Sequence, residues 1–432
     1  MTKLVMNQKN TLLRAVCIGA LSVWAASARA QTTTTTTTTA PAAATPPATM
    51  PAAPGSPAAA APAAPAAAPT SPVSTPSMEG PLTVNLKPES FDIPDFGKIY
   101  VSGAITGLGM YEDPVTAGDR RSLADVSNAQ IFVQKVDGVF QFFIQGGAYS
   151  LPSLGAGYLP DGTATNDFYG PLPQAFIKIA PTSAFSFEVG KLPTLIGAEY
   201  TFTYENMNIE RGLLWNQETA VSRGIQGNYT AGPVAISVAW TDGFYSNRYN
   251  WLSGSAAWTI NSSNTLALVL SGNMGSTNYS TSLATPVLQN NDTQLDNLIY
   301  TYTNGPWIIQ PYLQYSDLQA DPAIGVTKDT TTFGAAVLVN YAVPNSSFNL
   351  SGRVEYISAS GNKTDGSPNL LYGPGSSAWS FTFTPTYQAG VFFTRGEVSL
   401  VQDSNATPGF GLGPRFNNTY QLRFAIETGI LF

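Results

Sequence analysis

The 432-residue chain contains no histidine, and its single cysteine is Cys17. The lack of histidine excludes a Ser-His-Asp hydrolase, an Asp-His protease and a histidine-liganded metal centre. Cys17 lies in an N-terminal segment that we expect to be cleaved, so the mature chain has no thiol nucleophile and no disulfide. Chemistry by carboxylates alone stays open, but nothing else in the sequence indicates it. We therefore predict that the protein is not an enzyme and holds no cofactor or metal.

Charged residues are also scarce, at 11% of the chain, and the longest apolar run is N-terminal. Basic residues precede this run at 15–26, and Ala28-Arg29-Ala30 supplies a small-x-small cleavage site, which predicts a signal peptide over residues 1–30. No later segment has the roughly 18 consecutive apolar residues that a spanning helix needs. Cleavage leaves 16 basic and 27 acidic side chains, and this acidic balance argues against a nucleic acid as partner.

Residues 31–90 have the composition of a linker. Eight threonines (Thr32–Thr39) lead into Ala/Pro repeats that run through Pro76, with almost no charge and no aromatic residue. Such a stretch cannot bury enough apolar surface to offset its ordering entropy. We expect a disordered, semi-rigid spacer on the periplasmic side of the envelope, and a specific contact with peptidoglycan or another envelope component is the alternative.

From Phe91 onward, short segments alternate apolar and polar residues with a period of two. Trp379, Phe381 and Phe383, for example, alternate with small hydroxyl side chains. This alternation predicts strands with one apolar and one polar face. Sixteen strands are predicted, near residues 98–110, 126–136, 138–149, 172–180, 183–191, 220–230, 233–242, 251–260, 264–272, 293–303, 306–316, 331–341, 347–358, 376–386, 389–401 and 418–432.

The gaps between these strands alternate strictly between long and short. Long gaps such as 150–171 and 192–219 follow the odd-numbered strands, whereas tight turns such as Asp137-Gly138 and Asn304-Gly305 follow the even-numbered ones. A soluble sandwich with Greek-key crossovers would scramble this order. We predict an all-β, up-and-down antiparallel transmembrane barrel over residues 91–432 in the bacterial outer membrane, with long extracellular loops and short periplasmic turns.

The last predicted strand carries its own signal. Apolar residues from Tyr420 to Phe432 alternate with Gln421, Arg423 and Glu427, as expected of a strand between lipid and an aqueous lumen. A closing strand that ends in phenylalanine resembles the terminal signal of bacterial outer-membrane barrels. That resemblance implies that Phe432 is recognised by the barrel-assembly machinery.

The third long gap, residues 192–219, is rich in Leu, Ile, Tyr and Trp, which is unusual for a loop in water. We predict that it folds into the lumen, as the third loop does in general porins of sixteen strands; an ordinary packed surface loop is the alternative. The infolded arrangement would leave four charged side chains facing the water path as a constriction: Glu199, Glu205, Glu210 and Arg211.

By strand parity, eight wall charges point into the lumen, where they avoid the cost of facing lipid. They are Lys178, Glu188, Arg353, Glu355, Arg395, Glu397, Arg423 and Glu427. A transverse electric field across the pore is one interpretation of this set. Mutual salt bridges that stiffen the wall are the other, and the two are compatible.

Three segments around the third gap carry a family resemblance. They read GKLPTLIGAE at 190–199, NIERGLLW at 208–215 and SRGIQ at 222–226. With these segments the chain resembles the OmpL-like β-barrel porin family over residues 91–432. The resemblance implies an outer-membrane diffusion channel and supplies no defined substrate site.

These observations together predict a porin that passes small hydrophilic solutes or ions by passive diffusion, with a weak preference for cations. A non-conducting barrel that serves as an anchor or adhesin is the alternative. The predicted partners are outer-membrane lipid, the assembly machinery and the solutes themselves. Homotrimers are usual for barrels of this size, but no interface signature in the sequence indicates one.

Overall fold

The computed structural model describes residues 80–83, 87–276 and 292–432. The predicted signal peptide and most of the predicted linker lie outside the described residues. No helix within the described ranges is long and apolar enough to cross a membrane.

Strands dominate the described chain. Their bounds are β1 (Glu89–Ile93), β2 (Gly97–Asp113), β3 (Ser122–Lys135), β4 (Phe140–Tyr149), β5 (Gln174–Ile179), β6 (Phe185–Pro193), β7 (Val221–Ala231), β8 (Val234–Thr241), β9 (Trp251–Asn261), β10 (Asn264–Asn273), β11 (Gln294–Asn304), β12 (Trp307–Leu318), β13 (Thr330–Ala342), β14 (Phe348–Ala359), β15 (Ser377–Ala389), β16 (Phe392–Ser404) and β17 (Tyr420–Leu431). The helical segments are short: α1 (Asp161–Thr163), a π-helix (Ala164–Tyr169) that continues it, and 3₁₀ turns at Thr203–Glu205, Trp215–Gln217 and Pro322–Ile324.

Strands β2 to β17 form a closed antiparallel barrel of sixteen strands. Each strand pairs with its neighbour in sequence, and β17 returns to β2 with Leu431 opposite Ala104. Phe432 completes the closure, because its backbone N–H and carbonyl both pair with Gly103 at 3.0 and 2.7 Å. The predicted up-and-down barrel is confirmed, and the sixteen predicted strands correspond to β2–β17.

The two faces of the strands differ as the alternation predicts. On β17, Phe424 and Ile426 are 48% and 57% exposed, whereas Ala425 and Glu427, which alternate with them, are buried. Neighbouring strands place aromatic rings side by side near the barrel ends, for instance Trp307 with Tyr341 at 4.5 Å between ring centroids. An apolar outer face with aromatic rings near both rims suits a barrel whose outer surface meets lipid.

Turn lengths also follow the prediction. One end of the barrel carries tight connections, such as 232–233 between β7 and β8 and 390–391 between β15 and β16. The other end carries the long loops, including the β4–β5 loop with α1 and the π-helix. In barrels of this class the tight turns lie on the periplasmic side, so Phe432 is at the periplasmic rim.

Strand β1 was not predicted. It forms a hairpin with residues 97–101 of β2, on the edge that β17 occupies from residue 104 onward. The described residues just before it, Gly80–Thr83, also contact the barrel, with Leu82 only 3% exposed. These residues lie at the C-terminal end of the predicted linker and pack against the barrel, whereas the linker over the earlier residues stays a prediction.

Candidate functional site

The connection between β6 and β7, residues 194–220, lies inside the barrel, in agreement with the prediction for residues 192–219. We refer to it as the inner loop. Its Asn208 donates to Thr384 on β15 at 2.7 Å, and its Thr203 hydroxyl donates to Glu427 on β17 at 2.6 Å. On its outward side, the backbone of Arg211 pairs with Pro152 and Leu154 of the β4–β5 loop. The inner loop is thus bound to the wall and to an extracellular loop.

Apolar packing holds two parts of the inner loop against the wall, residues 202–204 and residues 207–214. Phe202 and Tyr204 belong to a buried cluster with Phe132 and Phe143 of the wall. Met207, Leu213 and Leu214 belong to a second cluster with side chains of β10–β15. A glycine makes room for this arm: a Cβ at Gly334 would lie 2.9 Å from the Leu214 side chain. Most of the Leu, Ile and aromatic residues of this segment are buried in these two clusters.

Three buried wall arginines anchor the loop, two through ion pairs with its glutamates and one through hydrogen bonds to its carbonyls. Arg353 pairs with Glu199 of the loop and, at 3.2 Å, with Glu355 of its own strand. Arg423 lies between Glu112 of β2 and Glu210 of the loop, at 3.0 and 2.8 Å.

The third, Arg395, pairs with Glu427 at 2.6 Å and donates to the loop carbonyls of Thr203 and Asn206. Every charged side chain in these three sets is 1% exposed or less. A buried charge is stable only when it is closely paired. Each arginine therefore holds the part of the loop that it contacts in a fixed position.

Wall carboxylates bind the loop in a second way, through its backbone. Glu397 accepts from the N–H groups of Ile209 and Glu210 at 2.6 and 3.0 Å. Glu355 accepts in the same manner from Leu213 at 3.0 Å. These contacts satisfy loop N–H groups that have no strand partner, which a buried loop requires.

The expectation that the four loop charges face a water path is wrong. Glu199 and Glu205 are 1% exposed, and Glu210 and Arg211 are fully buried. Glu199 and Glu210 are held by the wall arginines, and Glu205 accepts from Phe202 within its own turn. Burial raises the pKa of Glu205 to about 8, so this side chain is mostly neutral near pH 7.

Arg211 is buried against the Trp215 ring, 5.1 Å from its centroid. Its guanidinium has no hydrogen-bond partner among the described residues. Desolvation lowers its pKa to about 10, which leaves it charged at neutral pH. Three nearby carboxylates of the loop and wall favour that charge: Glu199, Glu427 and Glu210.

Of the eight predicted wall charges, six are enclosed at 5% exposure or less: Arg353, Glu355, Arg395, Glu397, Arg423 and Glu427. The remaining two, Lys178 on β5 and Glu188 on β6, pair at 3.4 Å on another part of the wall, with side-chain exposures of 35% and 11%. Parity placed all eight on the inner face, but it could not tell which of them the inner loop covers.

A cavity of about 430 Å³ lies beside Lys178 and Glu188, between strands β3–β7 and the inner loop. Its polar wall residues include Gln134, Lys135, Gln141 and Gln226, and the inner loop contributes Thr194, Leu195, Gly197 and Tyr200. The three glutamines carry no charge, so the inward charges of the sequence did not mark them. Their alternation with outward apolar residues was the signal that could have found them.

Comparisons with known proteins agree with this geometry. The family model described as "Putative beta-barrel porin-2, OmpL-like" matches residues 98–432. Among solved structures, outer-membrane expressed OmpT of Vibrio cholerae has a TM-score of 0.52 and 12% identity, covering 80% of this chain and 100% of that chain. In-vitro folded OmpT of that organism, described as a trimer form, has a TM-score of 0.50 and 12% identity, covering 77% and 99%. A search of curated proteins found no match.

Proposed function

The chain belongs to the OmpL-like β-barrel porin family and is an outer-membrane porin; from this premise we propose that small hydrophilic solutes and ions diffuse passively along the β3–β7 side of its lumen. The observation that carries the proposal is the cavity of about 430 Å³ beside Lys178 and Glu188. No enzymatic activity is part of the proposal.

The electrostatics of the lumen support a path on this side. Around the cavity, Lys135, Lys178 and Glu188 are the charged wall residues, so the lining is not dominated by acids. Two inner-loop acids, Glu199 and Glu210, are in ion pairs with Arg353 of β14 and Arg423 of β17, and no inner-loop acid lines the cavity. We therefore replace the expected weak cation preference, which rested on the loop acids, with a selectivity set by Lys178 and Glu188.

Planar-bilayer recording of the purified full-length mature protein tests this function. We expect steps of ionic conductance that scale with salt concentration, and slower uptake of larger neutral sugars in liposome swelling. Absence of conductance from correctly folded protein would contradict the proposal.

A non-conducting barrel that acts as an anchor or adhesin is the second candidate. It is favoured by the close packing of extracellular-side residues on the inner loop: Leu154, Tyr372 and Leu412 are buried in the same cluster as Leu213. The bilayer recording separates the two candidates, because only the diffusion channel conducts.

A homotrimer is the remaining part of the proposal. Its support is the size of the barrel and the trimeric form described for one structural neighbour. Light scattering of the detergent-solubilised protein, corrected for bound detergent, tests it: a mass near that of one chain would contradict it.

A further inference from the structure

A short segment before the barrel, Gly80–Thr83, reaches the inner loop from the periplasmic end. Thr83 is held at the rim by the Gln388 side chain beside the β15–β16 turn. That amide accepts from the Thr83 N–H at 2.9 Å and donates to the Thr83 carbonyl at 2.8 Å. A pair of bonds to one backbone unit fixes the direction of the segment as it crosses the rim.

Leu82 supplies the apolar contact. It is 3% exposed and belongs to the same buried cluster as Phe202 and Tyr204 of the inner loop and Phe393 and Leu431 of the wall. Two further members of that cluster, Phe143 and Phe176, also line the proposed diffusion path. Leu82 thus joins the periplasmic rim, the inner loop and the wall of the path in one packed group.

Gly80 contacts the loop backbone directly. Its N–H donates to the carbonyl of Glu205 at 3.1 Å. A Cβ at this position would lie only 2.3 Å from the Asn206 carbonyl oxygen, which itself accepts from Arg395. Because the obstructing atom is backbone held by a buried arginine, it cannot move aside cheaply, and only glycine fits this contact.

We propose that Gly80–Thr83 is an intramolecular latch, which holds the 203–206 turn of the inner loop in place and narrows the periplasmic mouth of the lumen. The inference rests on the proposed diffusion path. It assigns Gly80 and Leu82 as positioning residues of the pore, although they precede the barrel in sequence. The predicted linker then ends in a contact that restricts the pore, and release of this contact widens the pore.

Single-channel recording of the full-length mature protein tests the latch with a one-methyl change. Gly80→Ala introduces the obstructed Cβ, and we expect larger or more frequent conductance steps than in the unaltered protein. Gly162→Ala is the matched control, because nothing lies within 4 Å of a Cβ there. Leu82→Ser is the second variant and should have the same effect, since it removes the apolar contact without touching the backbone contact.

Release of the latch also has a chemical readout that does not depend on conductance. The mature chain is expected to lack cysteine, so Leu82→Cys provides a single buried thiol. Adding Gly80→Ala to this variant should raise the rate of labelling by a water-soluble maleimide about tenfold or more, the factor expected when burial of a leucine-sized side chain is lost.

The outcomes separate the latch from the diffusion path. Equal conductance in the unaltered protein, Gly80→Ala and Leu82→Ser would overturn the latch and leave the path intact. Absence of conductance in every folded variant would contradict the path itself, and unchanged thiol labelling would then overturn the latch independently.

Discussion

On the β14–β17 side of the lumen, Arg353, Arg395 and Arg423 are enclosed with their carboxylate partners, whereas on the β5–β6 side Lys178 and Glu188 pair next to a cavity. Both sides carry basic side chains paired with glutamates on inward strand positions. The inner loop makes the difference, because it lies against one side and leaves space along the other. Charge on the covered side holds the loop, and charge on the open side is available to solutes.

An inward charge in a barrel is therefore not by itself a selectivity residue. A buried pair that loses one partner leaves an uncompensated charge and costs much stability, whereas a hydrated pair is worth little. Stability and selectivity should therefore respond to different residues, and each of the following predictions tests that separation.

The largest effect is expected for Arg423→Met. This change leaves Glu112 and Glu210 buried without their cation, and we expect a loss of about 3–5 kcal/mol in the free energy of unfolding. Urea titration of the barrel in lipid vesicles, followed by tryptophan fluorescence, measures it. Arg121→Met is the control, since Arg121 and Asp113 form an exposed pair, and it should have little effect. A similar loss in both variants would show that enclosure does not distinguish these ion pairs.

The second effect concerns pH. Burial raises the pKa of Glu205 from 4.5 to about 8, so the folded state binds this proton more tightly than the unfolded state. The contribution of Glu205 is fully present below pH 4.5 and is lost as the pH rises through about 8. In unfolding titrations from pH 4 to pH 9, Glu205→Gln should lose less stability than the unaltered protein. Parallel profiles would rule out a buried, protonated Glu205.

The smallest effect on stability is expected for Lys178→Gln. The Lys178 side chain is 35% exposed and lies 3.4 Å from Glu188, whose side chain is 11% exposed, so its removal should cost about 2 kcal/mol or less in the free energy of unfolding, between the values for exposed and enclosed pairs. The same urea titration measures it beside Arg423→Met. If the two variants were equally destabilised, the two sides of the lumen would not differ in the way described here.

The barrel was predictable because a strand between lipid and a polar interior repeats its pattern every two residues. That period located β2–β17 and the inward parity of Arg353, Arg395 and Arg423. The period is absent from β1, whose five residues are all exposed, and so this strand was not predicted at the boundary between the expected linker and the barrel. No apolar pattern in the residues around Leu82 predicts that this side chain is buried.

The inner loop was predictable as a feature but not in its contacts. Its apolar content indicated that it packs against something, and its place as the third long connection indicated the lumen. Pairings such as Glu210 with Arg423 join positions 213 residues apart, and no periodicity within a loop reports them. The expectation that its acids face water was wrong because the arginines that pair with Glu199 and Glu210 are distant in sequence. A glutamate with such a partner cannot be distinguished by sequence from an unpaired one.

The reversal potential in a salt gradient tests the central claim most directly, with Lys178→Gln and Glu205→Gln compared to the unaltered protein in one bilayer system. We predict that Lys178→Gln shifts the potential toward cation preference, because it removes a positive charge beside the path. Glu205→Gln should leave the potential unchanged. The reverse result, with selectivity moved by Glu205→Gln and not by Lys178→Gln, would place the path on the side of the inner-loop acids and contradict the account.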